Sequence, residues 1–173
     1  MAIRFQYNKT SRQQLEKQLS VRERALPTLQ NKESALRVEV KRTKEEIAQL
    51  DRELEEKIQS YDKMVSMWTE FDPTLLRVRD VHLSKRKIAG VLLPILDKVD
   101  FETRPFSLFN RPKWFLDGVN TLEGLAEIGI RRDFQEIRLS RLEYARKKTT
   151  QKVNLFEKVQ IPGYQEAILK IKR

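Results

Sequence analysis

A chain of 173 residues has the length of one domain, but 35% charged residues, 39% hydrophobic residues and five glycines suit long helices better than a compact globule. The lack of cysteine excludes disulfides and cysteine-ligated metal sites. No stretch reaches the roughly twenty uncharged apolar residues of a membrane span, and the N-terminus lacks a signal peptide's apolar core. We therefore expect a cytoplasmic protein without direct membrane insertion, and attachment to the periphery of a membrane complex stays open.

The first predicted element is a long helix with a coiled-coil seam. Alternating steps of four and three residues run without a skip from Leu15 to Trp68, and twelve of the sixteen positions are apolar or aromatic. A spacing that averages about 3.5 residues keeps one stripe facing a partner helix. The later seam positions are Leu36, Val40, Ile47, Leu50, Leu54, Tyr61 and Trp68.

Local signals set the bounds of this helix. Three residues near its start could cap it: Asn8, Thr10 and Ser11. Its end is predicted near Glu70, because the proline of Phe71–Pro73 disfavours helix in the residue before it. Pro27 lies inside the predicted helix and removes a backbone donor, so we expect a kink near Ala25 or a break into two collinear helices.

The central segment, residues 72–130, has a different pattern. Residues 76–83 alternate between apolar and polar, which is typical of a strand, and residues 88–99 are mostly apolar. These features predict one or two short strands that form a hairpin. Residues 112–125 are expected to form a short helix. We interpret the segment as a small knob of α/β or β-hairpin type.

Aromatic residues cluster in this knob. Two interpretations stay open: a small core where the knob meets the end of the coiled coil, or a docking surface, since aromatic side chains are enriched at interface hot spots. The residues proposed for docking are Phe101, Phe106 and Trp114.

The last segment, residues 131–173, is predicted to be helical and to carry a looser seam. Its seam includes Ala145, Thr149, Val153 and Phe156, within the series Ile130, Phe134, Ile137, Leu142, Ala145, Thr149, Val153, Phe156, Val159, Gly163, Ala167 and Ile171. Pro162 and Gly163 are expected to bend it. The simplest packing is antiparallel, with residues 36–68 against 134–167, which would leave the first twenty-five or so residues without an intramolecular partner.

The fold class predicted from these elements is mainly α: N- and C-terminal helices form a long antiparallel two-helix coiled coil. The segments are residues 1–71, 72–130 and 131–173, the middle one being the knob.

The net charge of +10 is unevenly distributed. Residues 131–173 hold twelve Lys or Arg against five Asp or Glu. This surplus indicates either a surface for an acidic partner or a solvated helix face that keeps the protein soluble.

Candidate catalytic residues are nearly absent. His82 is the only histidine, it has no second ligand at metal spacing, and the sequence contains no phosphate-binding loop. Acidic pairs such as Glu45-Glu46 alternate with cations on a helix, which is typical of a solvated face. We predict a non-enzyme without cofactor or metal.

Two stretches carry a family resemblance. Lys147–Ile168 is similar to the signature segment of the D subunit of the V-type and A-type rotary ATPases, and the opening helix around Asn8–Leu19 resembles that family too. The matching motif residues are Thr149, Thr150, Val153, Asn154, Glu157, Ile161 and Pro162. The pair Leu155-Phe156 departs from the family pattern of a small residue followed by leucine.

The resemblance implies a central-stalk rotor. Its coiled coil would stand in the bore of the catalytic A/B hexamer, with Arg146, Lys147 and Lys148 as contacts to that head. The knob and the lower coiled coil would meet the small F subunit and the funnel-shaped adaptor of the membrane ring. The protein would then be cytoplasmic and peripheral to the membrane.

Two alternatives remain from the residues themselves. One is a homodimeric coiled-coil scaffold joined through the first helix. The other is a nucleic-acid-binding coiled coil that uses the basic stretch 131–152, although Asp133, Glu136 and Glu143 interrupt it and no readout module accompanies it.

Overall fold

The computed structural model describes residues 3–61, 72–107, 109 and 114–172. Helix α1 spans Lys9–Tyr61, and a single 3₁₀ turn, Pro73–Leu75, leads into strands β1 (Leu76–Ile88) and β2 (Val91–Thr103). Helix α2 spans Phe115–Leu155, a π-helical turn follows at Phe156–Gln160, and helix α3 spans Ile161–Lys172. The predicted fold class, mainly helical with a hairpin between long N- and C-terminal helices, is confirmed.

Helix α1 begins at a side-chain cap and continues through its proline. The Asn8 carboxamide oxygen accepts a hydrogen bond of 2.7 Å from the Ser11 N–H, so Asn8 is the cap. The predicted break at Pro27 is wrong, because α1 is helical on both sides of it without interruption. Pro27 is exposed, so water can satisfy the carbonyl group that loses its amide partner. The predicted helix end near Glu70 and the seam residue Trp68 lie outside the described residues.

The two strands form one antiparallel hairpin. Each strand has thirteen residues, with Leu76 paired to Thr103 and Ile88 to Val91. The turn uses Ala89 and Gly90, both with positive φ (47° and 80°), the backbone twist that suits a two-residue hairpin loop. The predicted hairpin is confirmed, but its strands are not short. Cations at 85–87 interrupt the apolar alternation, yet their backbones pair with residues 92–94.

Helix α2 begins earlier than predicted. The short helix expected at 112–125 and the helix expected from 131 are one continuous element that starts at Phe115. Phe115, Val119 and Ile128 are almost fully buried along it, so burial of this stripe outweighs the modest cost of glycine in a helix interior. The residues expected to end the knob are therefore inside α2.

The chain divides into two compact units. The first contains Met1–Glu39 with Leu142–Arg173, and the second contains Val40–Arg141. Within each unit a stretch of α1 packs antiparallel to a C-terminal helical stretch, so the predicted direction is confirmed.

The predicted register of the helix pair is wrong. In the first unit, Leu15 packs with Tyr164 and Ile168, and Thr150 donates a 3.2 Å hydrogen bond to Glu33. Residues near the N-terminus therefore have intramolecular partners, contrary to the prediction. In the second unit, Arg132 forms an ion pair with Asp51. The shift follows from the early start of α2, which brings lower-numbered residues opposite each position of α1.

Candidate interaction surfaces

The predicted seam residues of α1 within the described range are buried or half-buried. Leu36 (0% exposed) and Val40 (4%) are buried, and the later members are half-buried: Ile47, Leu50, Leu54 and Tyr61. On α2, Thr149 is buried, while Ala145 and Val153 are half-buried, as is Phe156 in the π-helical turn. Ile137 and Val159, two further positions of the predicted C-terminal seam, are instead exposed.

A π-helical turn lies at the position where Val159 was expected in the interface. The Ile161 N–H bonds to the Phe156 carbonyl oxygen, one residue further back than in an α-helix. Pro162 follows at once, and its ring would clash with the carbonyl four residues earlier in a regular α-helix. Gln160, and not Val159, is half-buried here, and its side-chain oxygen accepts a 2.6 Å hydrogen bond from Arg22 Nε. This π-helical turn lies just before Pro162 and Gly163, where the bend was predicted.

The family-motif residues divide between packing and surface. The Thr149 hydroxyl donates a 2.8 Å hydrogen bond to the Ala145 carbonyl within its own helix, whereas Thr150 bonds across to Glu33. Ile161 is half-buried. Three motif residues are exposed: Asn154, Glu157 and Pro162. Some motif residues therefore contribute to packing of the helix pair, and others lie on the surface.

The charge is separated more sharply than the sequence suggests. The first unit holds sixteen Lys or Arg against seven Asp or Glu, a net charge of +9, and the second holds nineteen against eighteen, a net charge of +1. Arg146, Lys147 and Lys148 are exposed on α2 in the first unit, with Lys148 Nζ 5.7 Å from the centre of the Tyr144 ring. Residues 1–39 also contribute to this surplus of positive charge. A count over the C-terminal segment alone therefore misses their share.

The knob aromatics form a small core at the base of the hairpin. Phe115 is 1% exposed, and the rings of Phe106 and Trp114 lie 5.0 and 5.9 Å from it. Phe101 lies instead on β2, opposite Val78. Phe106 and Trp114 are half-buried, so each contributes to the core and also presents some surface.

His82 lies in an exposed cluster of hydrogen-bonded side chains on the hairpin. Its Nε2 atom lies 2.7 Å from Asp100 Oδ2, and Lys98 Nζ lies 2.6 Å from Asp100 Oδ1. These hydrogen bonds, with Lys98 as the larger cause, lower the pKa of the Asp100 carboxyl. Within the described ranges no group of three or more His, Asp or Glu residues is arranged to hold a metal ion.

Two cavities were not anticipated. One, of about 500 Å³ in the second unit, lies among α1, β2 and α2, and its lining includes Glu46, Leu50, Ile95, Phe134 and Arg138. The other, of about 380 Å³, lies in the first unit. Sequence periodicity cannot reveal either, because each combines residues far apart in the chain.

Among the residues that the structure describes, no helix is both long enough and apolar enough to cross a membrane.

The chain thus combines two long helices with a hairpin between them. One of its units is strongly basic and the other is nearly neutral. The family of ATP synthase D subunits matches residues 11–173, so the chain belongs to that family. The resemblance seen in the sequence is confirmed.

Named relatives agree with this membership. The D subunit of the V-type ATP synthase of Borreliella burgdorferi is 29% identical over 168 residues, covering 94% of this chain and 83% of the relative. The proteins of the same name from Chlamydia pneumoniae and Chlamydia muridarum are each 24% identical, covering 99% of this chain and 84% and 87% of the relatives.

Proposed function

We propose that this protein is the non-catalytic central rotor shaft of a V/A-type ion-translocating rotary ATPase. It would couple ATP hydrolysis or synthesis in the catalytic head to rotation of the membrane ring. The observation that carries the proposal is the antiparallel pairing of two long helices in a member of this family. Two packed helices resist bending and twisting better than one, which a shaft requires.

The first unit is the part proposed to enter the head. Its net charge of +9 suits a bore lined by acidic groups of the A/B hexamer. Arg146, Lys147 and Lys148 would contact that bore through diffuse charge, which attracts the shaft and speeds its encounter with the head. Such attraction is screened over about 8 Å at physiological salt.

The second unit is proposed to meet the small F subunit and the funnel-shaped adaptor of the membrane ring. Half-buried Phe106 and Trp114, together with Phe101 on β2, offer aromatic surface for that contact. The protein would then reside in the cytoplasm, peripheral to the membrane.

Nucleotide chemistry would belong to the head alone. The sequence has no phosphate-binding loop, and its only histidine is engaged by Asp100 on an exposed hairpin. We expect titration calorimetry of the isolated chain with ATP to give no binding in the micromolar range; tight binding would contradict a non-catalytic role.

The electrostatic contact is tested by association kinetics with the purified head. Neutralising Arg146, Lys147 and Lys148 to Gln should slow association at low salt by about tenfold and flatten its salt dependence. The matched control neutralises three exposed cations on the hairpin of the second unit: Lys85, Arg86 and Lys87. Equal effects of the two triple variants would show that only the total charge matters, and the proposed contact would be wrong.

A further inference from the structure

A groove of about 380 Å³ lies in the first unit, between the N-terminal segment, α1 and the π-helical turn. Its apolar lining includes Ile3, Leu15, Leu155, Val159 and Tyr164. The other lining residues are polar and lie mainly on α1: Arg4, Ser11, Gln14, Gln18 and Gln160. The groove therefore combines apolar surface with hydrogen-bonding groups.

The exposure of two apolar side chains in this groove is not explained by packing within the fold. Leu155 and Val159 are 41% and 39% exposed, although both lie beside the helix interface. At the π-helical turn before Pro162, Gln160 is half-buried and accepts a hydrogen bond from Arg22, whereas Val159 is exposed. π-Helical turns are frequent at functional sites, and two aliphatic side chains at or next to this one lie on an accessible surface.

The charge of the lining restricts the occupant. Among the described residues that line the groove, Arg4 is the single charged one and none is a carboxylate. The surrounding unit has a net charge of +9. A cationic segment would be repelled, whereas an acidic segment with an aliphatic side chain finds both an apolar floor and a positive rim.

One wall of the groove is held in place by the fold. Ile3 packs directly over Gly163, and the Gln6 N–H donates a 3.2 Å hydrogen bond to the Ser11 hydroxyl. The segment that carries Ile3 and Arg4 is thus positioned before any partner binds, which lowers the entropy cost of binding.

We infer that this groove binds an acidic segment of the catalytic head through an inserted aliphatic side chain, with Arg4 pairing to a carboxylate. The inference rests on the proposed function and deepens it. The contact at Arg146–Lys148 would speed encounter, whereas an apolar anchor in the groove would slow dissociation.

The test compares the full chain with its Val159→Asn variant and measures the rate at which each dissociates from the purified head. The dissociation rate should rise about tenfold, with little change in association. Leu169→Asn is the matched control, because Leu169 is 60% exposed on α3 and lies outside the groove. Because Val159 is itself exposed, the melting temperature should stay close to that of the wild type. Arg4→Gln, which leaves the helices untouched, should also raise the dissociation rate.

The outcomes separate the two proposals. If the chain binds the head but Val159→Asn and Leu169→Asn dissociate alike, the groove inference is wrong while the rotor function stands. If the chain does not bind the head at all, both are wrong. A photoreactive benzophenone amino acid in place of Leu155 should cross-link to a head segment with more Asp and Glu than Lys and Arg. A cross-link to a basic segment would overturn the inference.

Discussion

A Cβ atom built on Gly163 would lie 3.1 Å from the Cδ1 atom of Ile3, so the N-terminal segment packs against the start of α3 where no side chain intervenes. This distance is tighter than ordinary van der Waals contact. The first residues of the chain are thereby joined to the last helix, although some 160 positions separate them in the sequence.

This contact predicts a measurable coupling. Gly163→Ala should gain about 1 kcal/mol of helix stability in an Ile3→Ala background, where the methyl group has room. In the wild type the gain should be smaller by at least about 0.5 kcal/mol, because Ile3 must shift. Urea unfolding of the four proteins in the cycle gives the coupling energy. A value near zero would mean that the N-terminal segment does not pack on Gly163.

Leu36 and Val38 offer a matched test of the helix interface. Leu36 is fully buried, and Val38, two residues away on the same helix, is 65% exposed. Leu36→Asp should lower the free energy of unfolding by about 3 kcal/mol or more, because it buries an unpaired charge. Val38→Asp should change it by about 0.5 kcal/mol or less. Thermal unfolding of both variants checks this prediction. Similar losses of stability would contradict the burial of Leu36 and the exposure of Val38 on α1.

Neighbouring threonines of the family motif should respond differently to valine. Thr149 bonds only to the Ala145 carbonyl of its own helix, which keeps its backbone partner after substitution, so Thr149→Val should be nearly neutral. Thr150→Val removes the hydrogen bond to Glu33 across the helix pair and should cost about 1 kcal/mol. Chemical denaturation distinguishes the two. A neutral Thr150→Val would mean that this interhelical bond does not contribute to stability.

The hairpin carboxyl should titrate abnormally. Hydrogen bonds from Lys98 and then His82 lower the pKa of Asp100 below the ordinary value of 3.8. Because the pKa of Asp100 is lower in the folded state, its pairing stabilises the hairpin fully at a pH above the pKa of the unfolded state. This stabilisation is lost as the pH falls through the pKa of the folded state. Carboxyl-carbon NMR should give a midpoint below 3.8, shifted upward in Lys98→Gln but retained in Lys98→Arg. A wild-type midpoint at the ordinary value or above it would contradict the observed ion-pair geometry.

Residue patterns alone were enough for several features. The steps of four and three from Leu15 onward include the buried residues Leu15, Leu36 and Val40 of α1, and Asn8 was among the predicted caps. Alternation in β1 predicted the hairpin, and the motif around Thr149 predicted the family. These signals are local, so they do not depend on knowledge of what packs against them.

The tertiary structure decided the helix register, the continuity of α2 and the groove. A heptad pattern repeats every seven residues and so permits several registers with equal spacing; contacts such as Thr150 with Glu33 select one. The helices predicted at 112–125 and from 131 are joined in α2, where Phe115, Val119 and Ile128 are buried and their burial outweighs the modest cost of glycine in a helix interior. Gln160 accepts its hydrogen bond from Arg22, a residue 138 positions away, and no local pattern encodes a partner that folding alone brings near.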